Sequence, residues 1–227
     1  MPAASQPGHE SQPMFIQRIR TRFQKRGDLK AISHLDLMRA FERALRRTGL
    51  PLRMSEGFNP RPRVSFPAAL GVGIEGLDEV MEFDLSDWVA PQEIQRKLGE
   101  QLPTGLNLIS LEVGDPRETA QAAEVTYRVT PGPDLNGDDR LSPSALGQLM
   151  AREVIPVQRW RKGKQKSVNI RPFMLSLERE ADELVVLLKA GPEGSVHPEE
   201  ILGVMGFDMP SSRADFDIVR TRVQLSN

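Results

Sequence analysis

Two polar stretches in the N-terminal third carry residue types that could hold or attack a phosphodiester backbone. The first is Ser33-His34-Leu35-Asp36. A histidine at a helix start is disfavoured in its protonated form, so a neutral His34 could act as a general base toward an RNA 2′-hydroxyl. The alternative is a structural role, with Ser33 as the helix cap and Asp36 as its partner in a capping-box arrangement.

The second stretch is the run GFNPRPR from Gly57 to Arg63. Its two prolines fix φ and its glycine permits a sharp entry, so the pattern predicts a stiff turn. Such a turn would display Phe58 and Asn59 for stacking on a base, with Arg61 and Arg63 holding phosphates. The alternative is a buried Phe58 that anchors a long connection.

Four arginines follow His34 at helical spacing: Arg39, Arg43, Arg46 and Arg47. Residues three and four positions apart lie near one another on a helix, and only Glu42 is interspersed among these cations. Phosphates from outside, or the acidic segment of the same protein, could supply the counter-charge, although many charged helix faces are simply solvated. The pattern favours phosphate contact, with Lys30 also nearby.

Charge is distributed in blocks along a chain whose net charge is only −1. Residues 15–63 hold 13 of the 30 lysines and arginines and four acidic residues, a local excess of +9 that is typical of polyanion binding. Residues 66–126 hold twelve acidic and three basic residues. The acidic stretch 75–87 could dock a basic partner or pair with the chain's own arginines.

A second basic segment lies at residues 159–166, within a predicted β-hairpin over residues 154–170 that turns at Gly163. An exposed tryptophan among cations suits a clamp for single-stranded RNA. The alternative is a mobile loop with its tryptophan in the core. The candidate RNA-binding residues of this segment are Arg159, Trp160, Arg161, Lys162, Lys164 and Lys166.

Composition argues against several classes of site. The absence of cysteine excludes disulfides and thiolate-held clusters, and three dispersed histidines predict no metal site. No apolar run approaches membrane-spanning length. The glycines at Gly71, Gly73 and Gly76 precede a predicted strand and not a helix, which disfavours a dinucleotide loop. We expect a cytoplasmic protein with no cofactor of its own and a disordered tail over residues 1–13.

Hydrophobic periodicity predicts an α+β fold of two ferredoxin-like halves, over residues 14–115 and 122–227. In the first half, strands are predicted at 15–23, 63–67, 79–85 and 106–113, with helices over 35–48 and from Pro91 to Leu102. This strand, helix, strand, strand, helix, strand order is that of the split βαβ unit, an antiparallel sheet with its helices on one face. The second half repeats the order more loosely.

Several runs together resemble the radical SAM-linked protein family of bacteria. They are KAISHLDL from Lys30, RALRR from Arg43, SEGFNPRP from Ser55 and LGVG from Leu70, with looser similarity at NIRPF from Asn169 and IVRT from Ile218. The resemblance implies a companion of a separate radical SAM enzyme, because this chain lacks the cysteines of such a cluster. By analogy alone it implies a connection with RNA maturation or modification.

These observations favour an RNA-binding accessory protein that acts with a separate radical SAM enzyme on tRNA or rRNA. Two alternatives stay open. One is a metal-independent RNA endonuclease in which His34 is the base and Lys30 or an arginine stabilises the phosphorane charge. The other is a protein-interaction module that docks a radical SAM partner through its acidic stretch.

Overall fold

The computed structural model describes residues 16–161, 163–191, 194–209 and 211–226. The predicted tail over residues 1–13 lies outside them. Short 3-10 turns occupy connections between the main elements, at Gly27–Ala31, Pro133–Leu135, Asp139–Leu141, Arg171–Phe173 and Ser211–Asp215.

The first half contains four strands and two helices in the predicted order. They are β1 (Gln17–Lys25), α1 (His34–Arg47), β2 (Val64–Ser65), β3 (Glu75–Leu85), α2 (Pro91–Gly99) and β4 (Leu106–Gly114). The strands lie side by side as β4-β1-β3-β2, and all of these pairings are antiparallel. This is the strand order of a split βαβ unit.

The second half repeats this order with one insertion. Its elements are β5 (Ala122–Pro131), α3 (Pro143–Met150), β6 (Pro156–Arg161), β7 (Lys164–Asn169), β8 (Met174–Glu180), β9 (Glu183–Lys189), α4 (Pro198–Val204) and β10 (Phe216–Leu225). The strand order is β10-β5-β9-β8. The sequence predicted the inserted β6–β7 hairpin over residues 154–170, and in the structure this hairpin forms a separate two-stranded sheet.

The two halves share one eight-stranded sheet, which the sequence analysis did not anticipate. Strand β2 is only two residues long and pairs with β3 at Glu82 and Phe83. The beginning of β3 is therefore left open along the same edge. Strand β10 pairs there in parallel, with Val219 opposite Glu75.

Two apolar clusters lie beneath the helices. In the first half, Phe23 of β1 and Phe83 of β3 pack with Leu37 and Phe41 of α1, and all four side chains are buried. In the second half, the apolar residues of β5, β9 and β10 pack with α3 and α4. A fully buried side chain of this kind contributes about 1.5–3 kcal/mol, so both clusters stabilise their halves substantially.

The helices cover one face of the sheet, and the predicted α+β class is confirmed. Glu79 lies opposite Phe23 on the face that α1 covers, and Arg220 lies opposite Tyr127 in the second half. Glu79 and Arg220 form a buried ion pair, so the two covered faces are continuous. Within the described residues, no helix combines the length and apolar character needed to cross a bilayer.

Candidate nucleic-acid interface

Helix α1 is positioned by a cap at one end and a glycine at the other. The hydroxyl of Ser33 accepts a hydrogen bond from the backbone N–H of Asp36 at 3.1 Å and contacts its carboxylate at 2.7 Å, as the capping run predicted. Gly49 has φ of +68°, the left-handed conformation that commonly follows a helix end. Because Leu37 and Phe41 fix the buried face, the arginines of α1 are exposed on the opposite side.

Four arginines converge on one small cavity, which we call the arginine pocket. Its volume is about 220 Å³, and it is lined by Arg39, Arg43, Arg46, Arg61 and Glu42. Arg61 comes from the proline-rich turn, so the structure brings together two segments that the sequence singled out separately. Arg47 points elsewhere and donates to the backbone carbonyl of Gln101 at 3.3 Å.

Internal partners neutralise the arginine pocket only in part. Arg39 pairs with Asp36 at 3.2 Å, and Arg61 lies 4.0 Å from Glu42. The guanidinium of Arg46 donates to the carbonyl of Pro60 at 2.7 Å, a contact that holds it in place without cancelling its charge. Within the described residues, the side chain of Arg43 has no hydrogen bond or ion pair.

The turn beside the arginine pocket is braced by backbone contacts. Ser55 and Arg61 exchange two hydrogen bonds, one from N–H of Ser55 to the Arg61 carbonyl at 2.7 Å and one from N–H of Arg61 to the Ser55 hydroxyl at 3.1 Å. Gly57 has φ of +113°, a conformation that other residues rarely adopt. The tip displays Phe58 at 105 % exposure with Asn59 also exposed, so the alternative of a buried Phe58 is wrong.

The two remaining candidates near the first segment have weak internal partners. Lys30 lies 3.9 Å from Asp217, and Arg63 lies 3.9 Å from Glu56. Neither residue lines the arginine pocket. At these distances between exposed groups, each pair contributes little to stability, so both cations stay available to an outside anion.

The basic row of β1 is neutralised inside the protein, which reduces the apparent charge excess. The three arginines lie on the sheet face away from the helices and pair with acids of β3. The pairs are Arg18 with Asp84 at 2.9 Å, Arg20 with Glu82 at 3.0 Å, and Arg22 with Asp78 at 2.7 Å. The hydrogen bond and charge of Asp84 raise the pKa of Arg18. Much of the acidic stretch 75–87 is thus engaged by the chain's own arginines.

The β6–β7 hairpin is anchored on the second half through its first strand. The Arg159 guanidinium binds the carboxylate of Glu200 at 2.6 and 2.7 Å and the carbonyl of Ser195 at 2.7 Å. Trp160 is 73 % exposed, so the alternative that places it in the core is wrong. Lys164 and Lys166 are exposed. Lys162 and the side chain of Arg161 lie outside the described part of the chain.

His34 is half-buried at the first turn of α1, beside Phe66. The two rings meet edge to face with centroids 5.2 Å apart. Its Nδ1 is buried and has no hydrogen-bond partner. Burial, and next the positive charge of Arg220, lower the pKa of His34 below its usual 6.5, so the imidazole is neutral at pH 7. No carboxylate within the described residues orients the ring, as a general base usually requires.

A buried ionic cluster lies where the two halves meet, and sequence reasoning missed it. Glu79 and Arg220 form its ion pair, with the Arg220 Nε 2.7 Å from the Glu79 carboxylate. Arg220 also donates to the carbonyls of Ala68 and Ala69. Lys25 is buried beside them, and this burial lowers the pKa of its amine. The only signal in the sequence is a charged residue at an inward position of β3 and of β10.

A wider groove of about 810 Å³ lies between the hairpin base and α4, away from the arginine pocket. Its lining combines apolar side chains with the charged side chains of Arg152, Glu199, Glu200 and Arg213. Arg213 ties it to the first half by donating to the carbonyl of Gly73 at 2.9 Å. Among the described residues, no group of histidine or acidic side chains converges to hold a metal ion.

Comparison with known proteins places the chain in a family without assigning it a reaction. A search of curated proteins finds no match. Residues 18–198, most of the chain, match the family described as uncharacterized protein conserved in bacteria, DUF2344. The match includes α1, the proline-rich turn and the β6–β7 hairpin. The chain therefore belongs to the DUF2344 family of bacterial proteins.

Proposed function

We propose that this protein binds RNA through the arginine pocket and the neighbouring tip that carries Phe58 and Asn59. One observation carries the proposal. The arginines of α1 keep an uncompensated positive charge, although the same fold neutralises every arginine of β1. Among the described residues, the four arginines of the arginine pocket face two carboxylates, those of Glu42 and Asp36, which leaves a charge of +2. Guanidinium groups bind phosphates strongly, often through two hydrogen bonds.

The exposed aromatic residues support a nucleic acid as the source of that phosphate. Phe58 lies at the tip of a turn and Trp160 lies in strand β6; both are large, exposed apolar side chains near cations in the sequence. Base stacking on such side chains is worth about 1–3 kcal/mol per base and tolerates any sequence. A protein partner is less favoured, because most acids of the stretch 75–87 are engaged within the chain.

We further propose that the chain presents tRNA or rRNA to a separate radical SAM enzyme for modification or maturation. The support is the resemblance to the radical SAM-linked family in the motifs that build the site. RALRR supplies Arg43 and Arg46 of the arginine pocket, and SEGFNPRP supplies Arg61 and the exposed tip. The chain contains no cysteine to hold an iron–sulfur cluster, so the partner supplies that chemistry.

An RNA endonuclease using His34 draws less support. A neutral imidazole is a competent base, but the buried Nδ1 has no partner to orient the ring. The two functions separate in one experiment with His34→Ala. If wild type cleaves RNA and the variant binds but does not cleave, the protein is a nuclease. If wild type binds without cleaving under any condition, the accessory function stands.

The proposal is tested by the salt dependence of RNA binding. We expect the logarithm of the affinity to fall linearly with the logarithm of salt concentration, and Arg43→Ala to reduce the slope by about 0.7–0.9. Arg117→Ala is the matched control, because Arg117 is an exposed arginine that pairs with Asp115 and does not line the arginine pocket. An affinity that does not depend on salt concentration, or equal salt slopes for Arg43→Ala and Arg117→Ala, would contradict RNA binding at the arginine pocket.

A further inference from the structure

Resting on the proposed function, we propose that the arginine pocket receives the terminal phosphate of an unpaired RNA end, with Phe58 stacking on the last base. The ligand chemistry is a phosphomonoester attached to a single-stranded nucleotide. Either end of an RNA strand can supply it. The argument comes from the charge, the shape and the neighbours of the pocket.

The charge of the pocket fits a phosphomonoester better than a phosphodiester. With Asp36 and Glu42 counted against the four arginines, an excess of +2 is left. A phosphomonoester carries about −1.5 to −2 at pH 7, whereas each phosphate within a strand carries one negative charge. A terminal phosphate therefore neutralises the pocket, and an internal one leaves it charged. The carboxylate of Glu42 also lines the arginine pocket and repels anions, so the pocket favours a ligand that carries two negative charges over one that carries a single negative charge.

The shape of the pocket also favours a strand end. A cavity of about 220 Å³ between α1 and the turn has room for one small group, whereas a strand bound along its length is normally held in an extended groove. Two guanidinium groups are already held by hydrogen bonds, that of Arg39 by Asp36 and that of Arg46 by the Pro60 carbonyl. Arg43 alone has no partner among the described residues and can close on the incoming oxygens. Preorganised donors of this kind lose little entropy on binding.

Phe58 lies within reach of the nucleotide that such a phosphate belongs to. It precedes Pro60 by two residues, so their Cα atoms are at most about 7 Å apart. Pro60 is itself held against the pocket by Arg46. The last base of a strand has one face free of a stacked neighbour, and a fully exposed phenylalanine can cover that face.

The test compares one short unstructured RNA in three forms: with a 5′-phosphate, with a 3′-phosphate, and with hydroxyl groups at both ends. Binding is measured by fluorescence anisotropy with the label at an internal position. We expect one phosphorylated form to bind about tenfold more tightly than the hydroxyl form, the gain of one added charge-assisted contact. The form that gains identifies the end that is recognised. Inorganic phosphate should remove this difference as it fills the pocket.

Two variants connect the effect to the structure. Arg43→Ala should abolish the preference for the phosphorylated form, and Phe58→Ala should weaken all three forms by about 5- to 150-fold. Arg117→Ala should change neither result, and all three residues are exposed, so folding is not at risk. Equal affinity for the three forms would overturn the terminal-phosphate inference while leaving RNA binding intact. If none of the forms binds, the proposed function itself is wrong.

Discussion

Replacing Glu79 by glutamine tests whether the buried ionic cluster ties the two halves together. The substitution preserves the shape of the side chain but removes the one carboxylate that pairs with Arg220 among the described residues. Both residues are almost inaccessible, at 2 % and 1 % exposure, so water cannot solvate the stranded guanidinium. Breaking a buried pair in this way costs about 3–5 kcal/mol. In a chain of 227 residues each kcal/mol lowers Tm by about 2–4 °C, so we expect a drop of about 6–20 °C.

The assay is thermal and urea unfolding of wild type, Glu79→Gln and a surface control. Glu112→Gln is a suitable control, because Glu112 also pairs with an arginine, Arg20, but is 66 % exposed. We expect the control to change the free energy of unfolding by less than about 1 kcal/mol. If Glu79→Gln is as stable as this control, the buried pair does not hold the halves together and the reasoning fails.

Three further predictions concern Gly76, Lys25 and His34. A Cβ on Gly76 would lie 2.5 Å from the Glu79 side chain, so Gly76→Ala should lower the free energy of unfolding by about 1–3 kcal/mol in urea titrations. Gly147 has open space around it and lies in a helix, so Gly147→Ala should raise the free energy of unfolding by about 0.5–1 kcal/mol. Lys25→Met should stabilise the protein by about 1 kcal/mol in the same titrations, because it removes a buried ammonium. Among the described residues, the one hydrogen bond of this ammonium, to the Lys30 carbonyl, is 3.5 Å long. Equal or lower stability of the variant would show that the amine is well solvated. Because the pKa of His34 is lowered in the folded protein, below about pH 6.5 the unfolded chain takes up a proton that the folded chain does not. The free energy of unfolding should therefore fall as the pH falls from about 6.5 to the folded pKa of His34. Urea titrations across that pH range should show a smaller fall for His34→Gln, and identical profiles for the variant and wild type would contradict the assigned shift.

Local patterns were sufficient to predict the elements of the fold. The alternation of Ile19 and Phe23 with arginines predicted β1, and the run starting at Ser33 predicted the start of α1; both are confirmed within two residues. These signals are strong because one face of each element is buried and the other is charged, so the period is unambiguous. The strand order of each half then followed from the order of its elements.

The joining of the halves could not be predicted, because it depends on contacts between distant residues. Strand β10 reaches β3 only because β2 is too short to fill the edge, and sequence patterns set strand lengths poorly. The Glu79–Arg220 pair links positions 141 residues apart. Its members each look like an interruption of an apolar strand face, and neither identifies its partner.

Counting charge along the chain overestimated the positive surface, because that count also ignores contacts between residues that are distant in the sequence. Antiparallel pairing of β1 with β3 places Arg18 opposite Asp84 and Arg20 opposite Glu82, so a basic row and an acidic row cancel across the sheet. Helix α1 has no such partner strand. Its exposed arginines are neighbours of one another at three- and four-residue spacing, and the turn adds Arg61 instead of an acid.

This difference explains why the candidate site lies on a helix and a turn and not on the sheet. A strand's outward residues lie about 5 Å from those of the next strand, and an acidic neighbour neutralises them at small entropic cost. An exposed helix face can be neutralised only by its own neighbours at short spacing or by a ligand. In α1 those neighbours are Asp36 and Glu42, which are too few for the arginines they face. The uncompensated charge on α1 is therefore a consequence of the topology. The hydrogen bond from Arg46 to the Pro60 carbonyl keeps the turn, with its additional arginine Arg61, against α1.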